Sequence, residues 1–351
     1  MNRLFSGGWN IAATLVFALL AWKLLPPLVH WAVLDAVWRP DPAACRQSSG
    51  ACWGFIAERW RFILFGTYPY AQQWRPAVVV GILLLLYVIS TVKRLWKRQL
   101  LFAWLAGLAS IGVLMWGGVA GLPYVENERW GGLALTLLLA TLGMAGAFPL
   151  ALLLALGRRS RLPAIQALSV AYIELVRGVP LISLLFMASA MLPLFLPAGV
   201  SVDKLLRAQA ALILFAAAYL AEVVRGGLQA VRREQYDIAD ALGLSYFQKM
   251  AYVVLPQALR LAVPLLVNTF IGLFKDTSLV AIIGLFELLQ SVKVSLGEPR
   301  WSGFGVEGYL FAALVYFVFC FALSRYSRTL EARPAGSWRP SSPPGSGPAP
   351  G

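Results

Sequence analysis

Four consecutive residues, Lys275, Asp276, Thr277 and Ser278, interrupt an otherwise apolar run of the sequence. If that run enters hydrocarbon near Pro264, Lys275 lies eleven residues in, about 16 Å at 1.5 Å per residue. That depth is close to the middle of a bilayer core about 30 Å thick. Charge there is costly and faces a bundle interior or an aqueous path. A cation, an acid and two hydroxyls match both ends of an amino-acid zwitterion, so contact with such a substrate is one reading of the four. Pairing with neighbouring helices to shape a pathway is the other. Other chemistry finds little support. The single histidine, His30, cannot make a zinc site, and neither HExxH nor CxxC occurs. No GxxxxGK[ST] loop is present, so the chain has no recognisable nucleotide site, and no cofactor is expected on it. A membrane-embedded enzyme would need a convergent acid, base or metal set, which these residues do not supply.

The elements that must position the four residues follow from composition. Of 351 residues, 59% are apolar and 13% charged, and mean hydropathy is +0.71. Soluble domains carry roughly 45–50% apolar and about 25% charged residues, so a soluble globular protein is excluded. A transmembrane barrel would show short alternating strands instead of long apolar runs. The net charge of +14 does not indicate nucleic acid, because the basic residues lie between apolar runs and form no single stripe. The fold class expected is an all-α polytopic bundle of about eight spans. They lie near 10–34, 76–92, 100–121, 131–156, 168–197, 207–225, 262–285 and 307–325. Compact basic loops around Lys93–Arg98, Arg158–Arg161 and Arg225–Arg260 place those loops, and both termini, in the cytoplasm. Trp9, Trp31, Trp74, Trp96, Trp130 and Trp301 fall near predicted span ends, as an interfacial aromatic belt would. Pro149, Pro180 and Pro264 fall within or beside spans, where they permit kinks. Cys45 and Cys52 lie in the non-cytoplasmic segment 35–75, where a disulfide and two separate thiols are both open. The residues 334–351 are rich in Pro, Gly and Ser and are expected to be disordered.

The segment 232–260, RREQYDIADALGLSYFQKMAYVVLPQALR, is too polar to span and too patterned for a plain linker. Ile238, Leu242 and Tyr246 recur at helical spacing and form one apolar stripe. Gly243 can end a first helix in the left-handed conformation. Ser245 with Gln248 forms a capping box for a second, and Pro256 is expected to end that one. Two short helices about a glycine hinge suit docking into a groove on a soluble partner. Two acid–base pairs precede this segment, each at a predicted cytoplasmic helix end. Glu222 with Arg225 reads as an intrahelical pair at i, i+3, and Glu174 with Arg177 precedes Gly178 and Pro180, where a gate-linked role is open.

Asp237-Ile238-Ala239-x-x-x-Gly243, followed by Leu255-Pro256, resembles the EAA loop of ABC-importer permeases. That family usually carries Glu-Ala-Ala at the first three positions, two of which differ here. YIELVRGVPL at 172–181, AYLAEVVRGG at 218–227 and KDTSL at 275–279 resemble, in the same order, motifs of the polar amino-acid uptake branch. The similarity covers roughly 130–331. The three extra helices of 1–121, and FMASAMLPLFLP at 186–197, resemble the larger M-type membrane subunits of broad-specificity L-amino-acid importers. The resemblance implies a type I importer permease core over 122–333, with the coupling loop at 232–260. It implies one half of a membrane heterodimer with a paralogous permease, in a bacterial inner membrane. ABC ATPase subunits using ATP and Mg would dock on Asp237, Ile238, Ala239, Leu242, Gly243, Leu255 and Pro256, and a periplasmic amino-acid-binding protein would deliver substrate. An ion-driven secondary amino-acid transporter is the alternative; it would keep the midspan charges but would not need the docking segment.

Overall fold

The computed structural model describes residues 7–95, 98–119, 121–197 and 199–331. The expected disordered tail at 334–351, and Trp96, lie outside the described residues. Among those described, the regular elements are helices, with two isolated β-bridges and no strand. The elements are α1 (Gly8–Leu34), α2 (Pro42–Gln47), α3 (Trp53–Phe65), α4 (Trp74–Thr91), α5 (Arg98–Trp116), α6 (Gly132–Gly157) and α7 (Pro163–Gly178). They continue with α8 (Leu181–Phe195), α9 (Lys204–Ala230), α10 (Arg233–Ala241), α11 (Tyr246–Ile283), α12 (Leu288–Leu296) and α13 (Gly305–Glu331). Among the described residues, seven helices are long and apolar enough to cross a membrane, and the broken pair α7–α8 makes an eighth candidate.

Two spans differ from their sequence expectation. The fifth is not one helix over 168–197 but two, α7 and α8, separated at Val179 and Pro180. Pro180 is the N-cap of α8 in extended geometry (φ −59°, ψ 141°); its ring disfavours helical backbone at Val179 and removes an N–H. The seventh does not begin at 262. Helix runs without interruption from Tyr246 through Pro256 to Ile283, 38 residues, nearly twice the roughly 20 a bilayer needs. Its first turns therefore extend beyond the hydrocarbon.

Contacts divide the chain into two compact units. One comprises Met1–Gly146, Gly178–Phe215 and Leu273–Val318; the other comprises Ala147–Arg177, Ala216–Gly272 and Phe319–Gly351. In the first unit the segment between α1 and α4 is a small knot. Asp41 accepts hydrogen bonds from the Ala43 and Ala44 amides and so starts α2. Cys45 and Cys52 are joined as a disulfide. The knot is fastened to residues far along the chain. The Cys52 amide donates to Glu307 Oε1 at 2.8 Å, Arg46 donates to the Pro299 carbonyl at 3.0 Å, and Arg59 pairs with Glu298. Helix α3 packs on α12. Trp301 is fully buried, its ring 5.7 Å from Phe55. Trp301 and Trp130 therefore pack inside the protein and not in an interfacial belt, whereas Trp9 and Trp74 are exposed.

Helix α6 is apolar on every side, and Leu133 through Ala140 are all buried. Gly132 begins it at φ 62°, and a Cβ there would stand 2.1 Å from the Leu64 carbonyl carbon. Only glycine allows α3 and α6 to cross so closely. Buried Arg75 holds the end of α5 by donating to the Leu114 and Pro123 carbonyls; Tyr68 donates to Met115. Carbonyls that a helix end leaves without intrahelical donors are thus partnered.

Glu287 joins α11 to α12 outside the candidate spans. It is fully buried, caps α12 by accepting from the Leu289 and Gln290 amides, and accepts from the Tyr316 hydroxyl at 3.1 Å. Burial outweighs those three donors and pushes its pKa up from 4.5 to about 7. The folded chain thus holds a proton that the unfolded chain releases between those values. The stability from this group is full below about pH 4.5 and is lost progressively towards pH 7. The thermal midpoint of the detergent-solubilised chain should therefore contain a component that falls from pH 5 to pH 7. Glu287→Gln should remove that component; an identical pH profile in the variant would refute the assignment.

Candidate functional site

The segment 232–260 lies in the second unit and is built from local turn chemistry. Gly243 takes φ 72°. The Leu244 amide donates to the Ala239 carbonyl at 3.1 Å, and the Gly243 amide to the Asp240 carbonyl at 2.9 Å. These are the two bonds of a Schellman motif, which closes α10. Two residues on, Ser245 Oγ accepts from the Gln248 amide while Gln248 Oε1 accepts from the Ser245 amide, a reciprocal capping box that opens α11. Pro256 does not end this helix. Residues Lys249–Val254 form a π-turn, and the Leu255 amide bonds to the Met250 carbonyl five residues back. The widened turn makes room for the Pro256 ring, which in a regular helix meets the carbonyl four residues back.

The segment is fixed at its edges and bare on its outer face. Lys249 pairs with Asp240 at 2.5 Å, and Gln257 donates to Gln235 at 3.0 Å. Ala239, Met250 and Val254 are buried, and Leu255 is half-buried. Asp237, Ile238, Leu242, Gly243 and Pro256 are exposed. Leu242 at 73% and Phe247 at 83% are as exposed as charged residues usually are, and Tyr246 and Tyr252 lie open beside them. The predicted stripe of Ile238, Leu242 and Tyr246 thus stays exposed among the described residues.

Around this segment lies an ionic cluster that spacing alone did not reveal. Glu222, the least exposed member, pairs with Arg158, with Arg225 at 2.8 Å and with Arg177 at 3.9 Å. Glu174 pairs with Arg158 at 3.3 Å, not with Arg177 one turn away. The Arg177 guanidinium lies 5.5 Å from the centre of the Tyr219 ring. Of the two intrahelical pairs suggested by i, i+3 spacing, Glu222–Arg225 forms; both acids also turn to Arg158 in the α6–α7 loop. Arg159, its neighbour, donates to the Tyr236 hydroxyl on α10 at 3.0 Å, and that hydroxyl donates to the Leu228 carbonyl. In the sequence, Arg158 and Arg159 carried only a topological signal; a contact across 64 residues has no local signature.

The midspan group sits in the first unit, where the α-helical turns of α11 give way to 3-10 turns at Thr277–Ile283. Thr277 is fully buried, its hydroxyl donating to the Phe274 carbonyl at 2.7 Å, and Ser278 donates to the Lys275 carbonyl at 2.8 Å. Both hydroxyls are engaged locally. Lys275 is exposed and Asp276 half-buried.

Residues 147–335 match the family model described as "Binding-protein-dependent transport system inner membrane component". Among curated proteins, the chain is 49% identical over 339 residues to the inner membrane amino-acid ABC transporter permease protein YhdY of Escherichia coli, covering 95% of this chain and 91% of that one. It is 39% identical over 405 residues to the glutamate/glutamine/aspartate/asparagine transport system permease protein BztC of Rhodobacter capsulatus, covering 95% and 92%. A solved structure titled as an amino acid ABC transporter with histidines matches with TM-score 0.50 at 30% identity, over 56% of this chain and 89% of that one. With more than half its length inside the family model and a relative matched almost end to end, this chain belongs to the inner membrane components of binding-protein-dependent transport systems, the permease subunits of ABC transporters.

Proposed function

We propose that this permease imports amino acids, powered by a separate ATPase that grips the α10–α11 segment. One observation carries the reading: an apolar face of Ile238, Leu242, Tyr246 and Phe247 stands exposed on two helices stiffened by a Schellman cap and a capping box. A soluble partner covering that face would remove its apolar area from water, the main driving term in association. The amino-acid cargo is supported by the names of the two relatives matched over 95% of the chain and by the charged pair Lys275 and Asp276. Broad specificity is consistent with a relative named for four amino acids.

The remaining parts follow the same reading. A paralogous permease completes the pathway as a heterodimer, ATP and Mg are bound by the ATPase, and a periplasmic binding protein presents the substrate. Both termini lie in the cytoplasm, and the docking segment lies on the ATPase side with them. Membership of an ABC permease family favours this reading over an ion-driven transporter. Each nucleotide state must bind one conformation of the permease better than the other, since a ligand shifts an equilibrium only by its differential affinity.

Three outcomes test it. Phe247→Asp should weaken retention of the ATPase by the purified complex about thirtyfold, the equivalent of roughly 2 kcal/mol of buried aromatic surface; undiminished co-purification would sink the docking face. Gly243→Val forces a branched residue into left-handed backbone at a strain of about 1–2 kcal/mol. Substrate-stimulated ATPase activity should then fall at least about fivefold while capture of the binding protein persists, and wild-type transport would count against the hinge. Lys275→Ala and Asp276→Ala should each lower uptake in proteoliposomes with the complex still assembled. Unchanged uptake kinetics would remove both from the pathway.

A further inference from the structure

Two adjacent guanidiniums in the α6–α7 loop reach in different directions. Arg159 donates to the Tyr236 hydroxyl of α10 and stacks over that ring at 5.5 Å. Arg158 binds Glu222 of α9 and, at 3.3 Å, Glu174 of α7. We propose that Arg158 and Arg159 form a positioning latch that ties the docking segment to the last two turns of α7, through Glu174 and Arg177, with Glu222 as its pivot. The inference rests on the docking reading above and adds a route for the motion.

The argument is mechanical and electrostatic. Tyr236 stands on the same short helix as Ile238, so a displacement of α10 by a docked ATPase moves the tyrosine. Its hydroxyl is held on two sides, by Arg159 and by the Leu228 carbonyl, so the movement must carry Arg159 along or break those bonds. Arg158 is peptide-bonded to Arg159 and cannot stay in place if the loop shifts. Its two acceptors react differently. Glu222 is only 16% exposed and has Arg225 and Arg177 to fall back on, whereas Glu174 has Arg158 as its ion-pair partner among the described residues. Two arrangements follow, one with Arg158 seated between both acids and one with Glu222 drawn to Arg225 and Arg177. A shared carboxylate this little exposed resists intermediate positions, because a half-broken pair leaves charge uncompensated where water is scarce. Glu174 and Arg177 are one turn apart on α7, and α7 ends at Gly178, immediately before the Val179–Pro180 break. Rearranging the latch therefore alters the charge and hydrogen bonding of the turn from which the broken span departs.

The test uses the complete transporter, with its ATPase, partner permease and binding protein, in proteoliposomes. Arg158→Ala, Glu222→Gln and their double variant are compared for amino acid moved per ATP hydrolysed, and for ATPase retained on purification. The expected result is a retained ATPase, a basal hydrolysis rate near wild type, and a transport-to-hydrolysis ratio reduced about tenfold in each single variant. The double variant should be no worse than either single one, as for two ends of one interaction, and Arg158→Lys should restore part of the ratio. A merely structural role would lower assembly and thermal stability without moving the ratio. Wild-type coupling in the single variants, or multiplicative losses in the double one, would overturn the latch. So would loss of the ATPase from Arg158→Ala, since that result places Arg158 in the docking surface. A wild-type chain that never retains an ATPase overturns the docking reading and the latch together.

Discussion

Hydrocarbon offers a buried peptide group no partner, so every polar atom in the spans has to be satisfied by the chain itself. Several threonine hydroxyls meet this demand inside their own helices. Thr136, Thr141 and Thr277 each turn a hydroxyl back onto a carbonyl three or four residues earlier. Where a helix stops, other groups take over: Arg75 and Tyr68 at the end of α5, and Glu287 at the start of α12. Irregular backbone in the spans includes π-turns at His30–Leu34, Met187–Met191 and Lys249–Val254, the Val179–Pro180 break and the 3-10 turns after Asp276. The midspan cation and acid stand beside the last of these. A non-helical stretch at depth is tolerated where it is enclosed by protein or lines a water-filled path.

Outside the spans the constraint reverses, and the docking segment leaves apolar surface uncovered while its frame is locked by caps and charge pairs. Rigidity matters here because a floppy segment would absorb displacement as internal rotation. The Schellman bonds at Gly243, the reciprocal Ser245–Gln248 box and the Lys249–Asp240 pair take up the soft torsions between the two helices. The segment then moves as a lever, and its contacts with the α6–α7 loop become a means of transmission.

Much of this was legible in the residues. Most of the spans could be placed because apolar runs of the needed length have few other uses, although the fifth is a broken pair and the seventh starts earlier than expected. The glycine hinge and its caps were readable because positive φ and N-terminal amides demand particular side chains. Proline misled twice. Pro180 separates two helices instead of kinking one, and Pro256 sits comfortably inside a helix because the preceding π-turn widens it. Trp301 reads as a headgroup anchor by position but is buried against Phe55, a contact spanning most of the chain. Arg158 with Glu222 and Glu174 was illegible for the same reason: partners brought together by folding over long separations leave no spacing to read. Thr277 shows the opposite limit, because its hydroxyl looks available in the sequence and is spent on its own helix.

The fastening of the knot to residues 298–307 also sets an order of assembly. The Cys52 amide and its acceptor on Glu307 are separated by 255 positions. At a synthesis rate of about 5–20 residues per second, the ribosome needs roughly 13–50 s between the two. For most of that interval α3 has no α12 to lie against, and Phe55 waits for its Trp301 neighbour. The seat of the knot is therefore complete only once the C-terminal third of the chain has been made.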